Sequence, residues 1–133
     1  MTASVIIYPI VCILAVMTVV HGLDVARLQM LSESIVKCSE ELGGSPTAPT
    51  AEIIVCAGEK DGKVFNANGE YMKDAAIKAF EDFVSDADRL KKAQGMYAQC
   101  HDNGVQSGST GREQSLKIAG CSLAILPLLD APQ

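Results

Sequence analysis

The sequence predicts an all-α domain, a compact bundle of about five to six helices cross-linked by two disulfides. Three observations carry this. Apolar residues return at steps of three and four from Val25 to Leu126, the period of one helical face. Gly, Pro, Ser and Asn collect between these runs, where turns need them. Cys38, Cys56, Cys100 and Cys121 form an even set, and all but Cys56 sit plainly on an apolar stripe.

The chain opens on residues 5–20, VIIYPIVCILAVMTVV, which are almost purely apolar, and no charged residue precedes Asp24. Such a run at the extreme N-terminus has the character of a signal-peptide hydrophobic region. Val20-His21-Gly22 places the cut after Gly22, so residues 1–22 are the expected signal peptide and residues 23–133 the expected domain. A membrane anchor would want about 20 apolar residues and flanking Lys or Arg.

Beyond the cut, Val25, Leu28, Leu31, Ile35, Cys38 and Leu42 stripe a first helix that starts at Asp24 and stops at Gly43-Gly44. Ser45-Pro46-Thr47-Ala48-Pro49 is a linker. Thr50 can cap a short helix carrying Ile53, Ile54, Val55 and Cys56, although Ile-Ile-Val alone favours a strand. Asp61-Gly62-Lys63 is a turn. Asn68 is expected to cap a long helix with Met72, Ala76, Ala79, Phe80 and Phe83 on one face. Asp86 opens another, with Leu90, Ala93, Tyr97 and Cys100 inward, and Gly104 to Gly111 has the composition of a loop. Thr110-Gly111-Arg112-Glu113 matches a capping box, a hydroxyl at the cap and Glu three residues on. The last helix carries Leu116, Ile118, Ala119, Cys121, Leu123, Ile125 and Leu126. It is apolar nearly all round, which predicts a central, buried position until Pro127 breaks it.

The full chain has five cysteines, and Cys12 departs with the signal peptide. The remaining four suit an oxidising compartment. A zinc site would want close pairs such as C-x2-C, and no two of these cysteines stand nearer than Cys38 and Cys56. Four cysteines allow three connectivities, among which sequence does not choose. The net charge of −5 argues against a nucleic-acid partner and against docking on anionic lipid. His101 is the one histidine of the expected mature chain, so repeated metal ligands are lacking. There is no nucleophile elbow and no phosphate-binding loop with its Lys. The stretch Asp61 to Glu70 puts Lys63 where a calcium loop needs an oxygen ligand. No enzyme, no metal and no cofactor is expected.

The cysteine order, the helical pattern, the acidic balance and the apolar leader together resemble insect odorant-binding proteins, of the pheromone-binding and general-odorant-binding family. Its members usually carry six cysteines, paired first with third, second with fifth and fourth with sixth. Cys38, Cys56, Cys100 and Cys121 match the first, third, fourth and sixth. Glu52 and Arg112 stand where the second and fifth would be, which makes this chain similar to the reduced-cysteine, or Minus-C, type. Only 13 residues separate Cys38 from Glu52, so the family's second helix is replaced by the Pro/Thr linker. The resemblance implies pairs Cys38–Cys56 and Cys100–Cys121, an apolar cavity among the helices, and extracellular transport of small hydrophobic ligands of the odorant or pheromone type. Its implied partners are that ligand and a membrane chemoreceptor, with the chain a monomer or weak homodimer.

The pocket residues expected on this reading are Leu31, Ile35, Met72, Phe80, Tyr97, Leu116, Leu123, Leu128 and Leu129. Tyr97 could orient a ligand oxygen through its hydroxyl, and Met72 could adapt to varied ligands. The tail after Pro127 would fold over the pocket mouth. His101, placed at a helix end beside Asp102, is a candidate pH trigger. Glu52 and Arg112, opposite in charge, are candidates for an ion pair where the family has a disulfide. The competing function is a secreted interaction protein on the same scaffold, a venom, salivary or seminal component.

Overall fold

The computed structural model describes residues 22–131. The expected signal peptide, apart from Gly22, lies outside the described residues. Five α-helices follow one another: α1 Val25–Leu42, α2 Ala51–Asp61, α3 Lys73–Phe83, α4 Ala87–Gln106 and α5 Gly111–Ser122, with a 3-10 segment Leu123–Leu128 closing the chain. Among the described residues there are only isolated bridges and no strand, so the fold is all-α.

Three helix starts follow their side chains. Asp24 accepts from the Arg27 N–H at 3.0 Å, Thr50 from Ile53 at 3.3 Å, and Asp86 from Arg89 at 2.9 Å. Each satisfies one donor that a helix N-terminus leaves without an intrahelical partner. α1 stops where Gly43 takes a left-handed φ of 73°, a conformation that costs a residue with a Cβ. The Ile-Ile-Val run is helical, because the cap at Thr50 and burial of Ile53 and Val55 outweigh its β preference.

Two other starts differ from expectation. Asn68 caps nothing: the Asn66 carboxamide oxygen accepts from the N–H groups of Asn68 and Glu70, at 2.9 and 3.0 Å, and holds a loop. α3 therefore begins at Lys73, with Met72 as a cap residue that makes no side-chain hydrogen bond. The Thr110 to Glu113 box does not form either. Glu70, remote in sequence, accepts from the Gly111 N–H at 2.9 Å instead. That backbone hydrogen bond, with one donated by the Asn66 side-chain amide, holds the Glu70 carboxyl below its ordinary pKa.

α4 continues through Gly104 to Gln106, so the predicted loop is shorter than its Gly/Ser composition indicates. The reason is packing. A Cβ on Gly104 would stand 2.5 Å from Ile118 Cγ1, so the bare glycine is what lets α4 and α5 approach. The end of α5 is less buried than its hydropathy predicts, since Cys121 is exposed and Leu123 half-buried.

The disulfides are Cys38–Cys56, joining α1 to α2, and Cys100–Cys121, joining α4 to α5. α2 also packs on α5, α3 on α4, and α1 on α3, so the staples sit within a closed set of helix contacts. Three clusters fill the interior. Leu28, Val64, Ala79, Phe83 and Val84 form one. Ala76, Ala93, Tyr97, Ile118 and Ile125 form the second. Cys38, Ile53 and Ala57 form the third.

Candidate functional site: an internal cavity

A cavity of about 120 Å³ lies where the three clusters meet. α1 contributes Arg27, Leu31 and Ile35, and α2 contributes Ile54, Gly58 and Asp61. α3 contributes Ala76, Ala79, Phe80 and Phe83, while Tyr97 comes from α4. Val64 and Tyr71 enter from the loop before α3, and Ser122, Ile125, Leu126 and Leu129 from the chain's end. Aromatic rings form one side of this space. Tyr97 meets Tyr71 edge-on at 6.1 Å between centroids and Phe80 at 5.7 Å.

Of the expected pocket residues, Leu31, Ile35, Phe80, Tyr97 and Leu129 line this cavity, whereas Met72, Leu116, Leu123 and Leu128 do not. Met72 is displaced because α3 starts late; its side chain is exposed. Leu116 and Leu123 lie one residue out of phase. The inward positions belong to Ser115, Ile118 and Ser122, since Ser115 Oγ is satisfied by donating to the Gly69 carbonyl at 2.6 Å. Leu128 packs against the second cluster while its carbonyl accepts from Arg89 Nη1 at 2.8 Å. Arg27, Asp61, Tyr71 and Ser122 line the cavity without hydropathy giving any sign of it.

Arg27 and Asp61 are the charged residues of the wall, and they pair with each other. Arg27 Nε and Nη2 donate to the two Asp61 carboxylate oxygens at 3.0 and 2.9 Å, and Arg27 Nη1 donates to Asp82 at 2.8 Å. The guanidinium carbon stands 5.2 Å from the centre of the Phe83 ring. The Asp61 hydrogen bond chiefly raises the Arg27 pKa, against the lowering effect of burial. The group thus fastens α1 to the ends of α2 and α3.

The tail is fastened too. The Asp130 carboxylate accepts from the Ser85 N–H at 3.0 Å, the Ser85 hydroxyl at 2.6 Å and Arg89 Nη2 at 3.2 Å. Its own N–H donates to the Phe83 carbonyl at 2.9 Å, which sets Leu129 against the cavity. Leu31, Ile35, Leu126 and Leu129 also line a surface groove bounded by Pro46, Thr47 and Pro49. The Ser45–Pro49 linker thus borders a groove, and α1 and the tail form the wall between groove and cavity.

Two other expectations change. Arg112 pairs with Glu59 at 2.8 Å, not with Glu52. α2 and α5 run antiparallel: Gly120 lies beside Ala51, so the start of α5 meets the end of α2. His101 is inside α4, not at its end. Its Nε2 lies 3.4 Å from the Tyr71 carbonyl, and it does not line the cavity. Cys38, Cys56 and Glu41 come close enough to suggest a metal cluster, but both sulfurs are spent in the disulfide. No described helix is long and apolar enough to cross a membrane.

No curated protein and no solved structure matches the chain at a significant level. A family match covers residues 37–126, from just before Cys38 to the 3-10 segment, and so includes all four bridged cysteines and most of the cavity wall. The Minus-C assignment within the odorant-binding proteins is not what this match specifies. The chain belongs to the ant venom allergen Sol i 2 family.

Proposed function

We propose that this protein is secreted and carries a small, largely apolar molecule in its internal cavity. The observation that carries this reading is the cavity itself, a space of about 120 Å³ bounded by Leu31, Ile35, Phe80, Phe83, Ile125 and Leu129. A packed core seldom leaves voids larger than a water molecule. An apolar cavity of roughly 150 Å³ holds benzene, so this space takes about six heavy atoms at most, and one or two more extend through its open side. Larger ligands require the tail at Leu129 to yield. Secretion is supported by the two disulfides, by the apolar leader of the sequence and by the family's description as venom allergens.

Titration of oxidised protein with toluene, followed by amide NMR shifts, tests this. Saturable shifts at Leu31, Phe80, Tyr97 and Leu129 are expected. A linear, unsaturable response spread over the surface would sink the carrier reading.

The family description, a venom allergen, supports equally a second reading, a venom component; action on a partner protein is the proposal that goes with it. Quantitative proteomics of venom against antennal and body fluids separates the two settings. Confinement to venom, combined with no toluene binding, would favour the partner-protein role.

A further inference from the structure

The cavity is largely apolar, and two of the polar residues in its wall carry hydroxyls without partners among the described residues. Tyr97 is only 3% exposed, and its hydroxyl finds no hydrogen-bond partner among the described residues. The Ser122 hydroxyl is likewise buried and unpartnered, and both residues line the cavity. Buried hydroxyls are nearly always satisfied, because an unmade hydrogen bond in a low-dielectric interior is costly. Ser115, on the same helix as Ser122, shows the usual solution by donating to Gly69. Two unpartnered hydroxyls, carried by different helices on residues that line one apolar space, are a recognition feature.

We infer that Tyr97 and Ser122 form a polar subsite that takes the oxygen of a neutral, mono-oxygenated ligand, an alcohol, phenol or carbonyl compound of about six to eight heavy atoms. This rests on the carrier reading above and narrows its ligand class. A single oxygen accepts from the Tyr97 hydroxyl, and Ser122 can donate to it or accept from it. Burial pushes the Tyr97 phenol well above its ordinary pKa, so it keeps its donor proton at neutral pH.

Charge selects against acids. Arg27 is the cation in the wall, and its hydrogen bonds to Asp61 and Asp82 leave that group with a net charge of −1. A carboxylate ligand would meet no free cation there and would carry its own desolvation cost.

The test uses full-length mature protein, oxidised, with phenol, toluene and benzoate as probes. Phenol and toluene share a shape and differ by hydroxyl against methyl. In the wild type, phenol should shift the Cζ resonance of 13C-labelled Tyr97 saturably, and toluene should leave that resonance nearly unchanged. Benzoate should bind at least about tenfold more weakly than phenol. Tyr97→Phe and Ser122→Ala should each weaken phenol by about 2- to 12-fold, the worth of one hydrogen bond, and leave toluene within about twofold. Phenol affinity unchanged in both variants, or toluene falling as far as phenol, would overturn the subsite while the carrier reading stands. Failure of both neutral probes to bind the wild type overturns the carrier reading and the subsite with it. The wild-type Cζ shift needs no variant, so a poorly folding substitution does not remove the test.

Discussion

Replacing Arg27 by Met keeps most of the side-chain volume and removes the fork that holds three helices. The magnitude follows from burial. Arg27 and Asp61 are 14% and 19% exposed, and two parallel hydrogen bonds join them. Fully buried pairs lose about 3–5 kcal/mol when one partner is removed, and exposed pairs about 0–1 kcal/mol. This pair lies between, at about 2 kcal/mol. The Asp82 contact, where the carboxylate is 32% exposed, adds about 1 kcal/mol after allowance for solvent screening. The sum, about 3 kcal/mol, corresponds to a fall in Tm of about 12 °C for a domain of this size. Arg27→Lys should recover less than half, because a single ammonium cannot match both Asp61 oxygens. Urea and thermal unfolding followed by far-UV circular dichroism measure this, since the chain has no Trp. A Met variant within about 1 kcal/mol of wild type, or full recovery by Lys, would refute the reasoning.

Three further outcomes follow from the same structure. Removing Cys38–Cys56 or Cys100–Cys121 by paired Ala substitution should each cost about 3 kcal/mol, because the loops span 18 and 21 residues; chemical denaturation midpoints would show it, and losses under about 1 kcal/mol would contradict the chain-entropy account. Gly104→Ala should gain about 1 kcal/mol of helix propensity and lose more to overpacking, about 1–3 kcal/mol, since fully buried Ile118 has nowhere to move; a variant more stable than wild type would show that α5 gives way. Burial raises the Asp130 pKa, but the Ser85 hydrogen bonds and Arg89 outweigh it and bring the carboxyl below its ordinary 3.8. The tail latch is thus fully present above about pH 4 and is lost as pH falls through the lower folded value; Asp130→Asn should flatten the dependence of Tm on pH below 4, and an unchanged slope would remove Asp130 from the acid response.

Local chemistry made much of the fold legible. Asp24, Thr50 and Asp86 cap the helices their positions predict, and Gly43 and Gly62 end two of them in left-handed conformations. These devices act within four residues, so a linear reading finds them. The misread starts fail for one reason. Asn68 and Thr110 are plausible caps in isolation, but Asn66 and Glu70 bind the backbone there, and Glu70 reaches Gly111 across 41 residues. No local pattern reports a partner so distant.

The candidate site was legible only where hydropathy phase was safe. On α1 the stripe pointed to Leu31 and Ile35, and on α4 to Tyr97, and all three line the cavity. On α5 the stripe misled by one residue, because Ser115 is buried and Ser122 lines the cavity, while half-buried Leu116 and Leu123 do not line it. A small hydroxyl can go inward when a backbone carbonyl meets it, as Gly69 meets Ser115. Hydropathy cannot see that carbonyl.

By itself, then, the sequence determined the helical class, three of the caps, the glycine stops and the inward positions of Cys38 and Cys100, all set by interactions within a turn or two of the chain. The tertiary structure decided which carboxylate Arg112 meets, how Arg27 ties three helices, and where the tail lies. It also decided that the three clusters meet around a space lined by two residues whose hydroxyls lack partners among the described residues. These depend on helix direction and close approach, as at Gly104 against Ile118, and such geometry is fixed only when the elements pack.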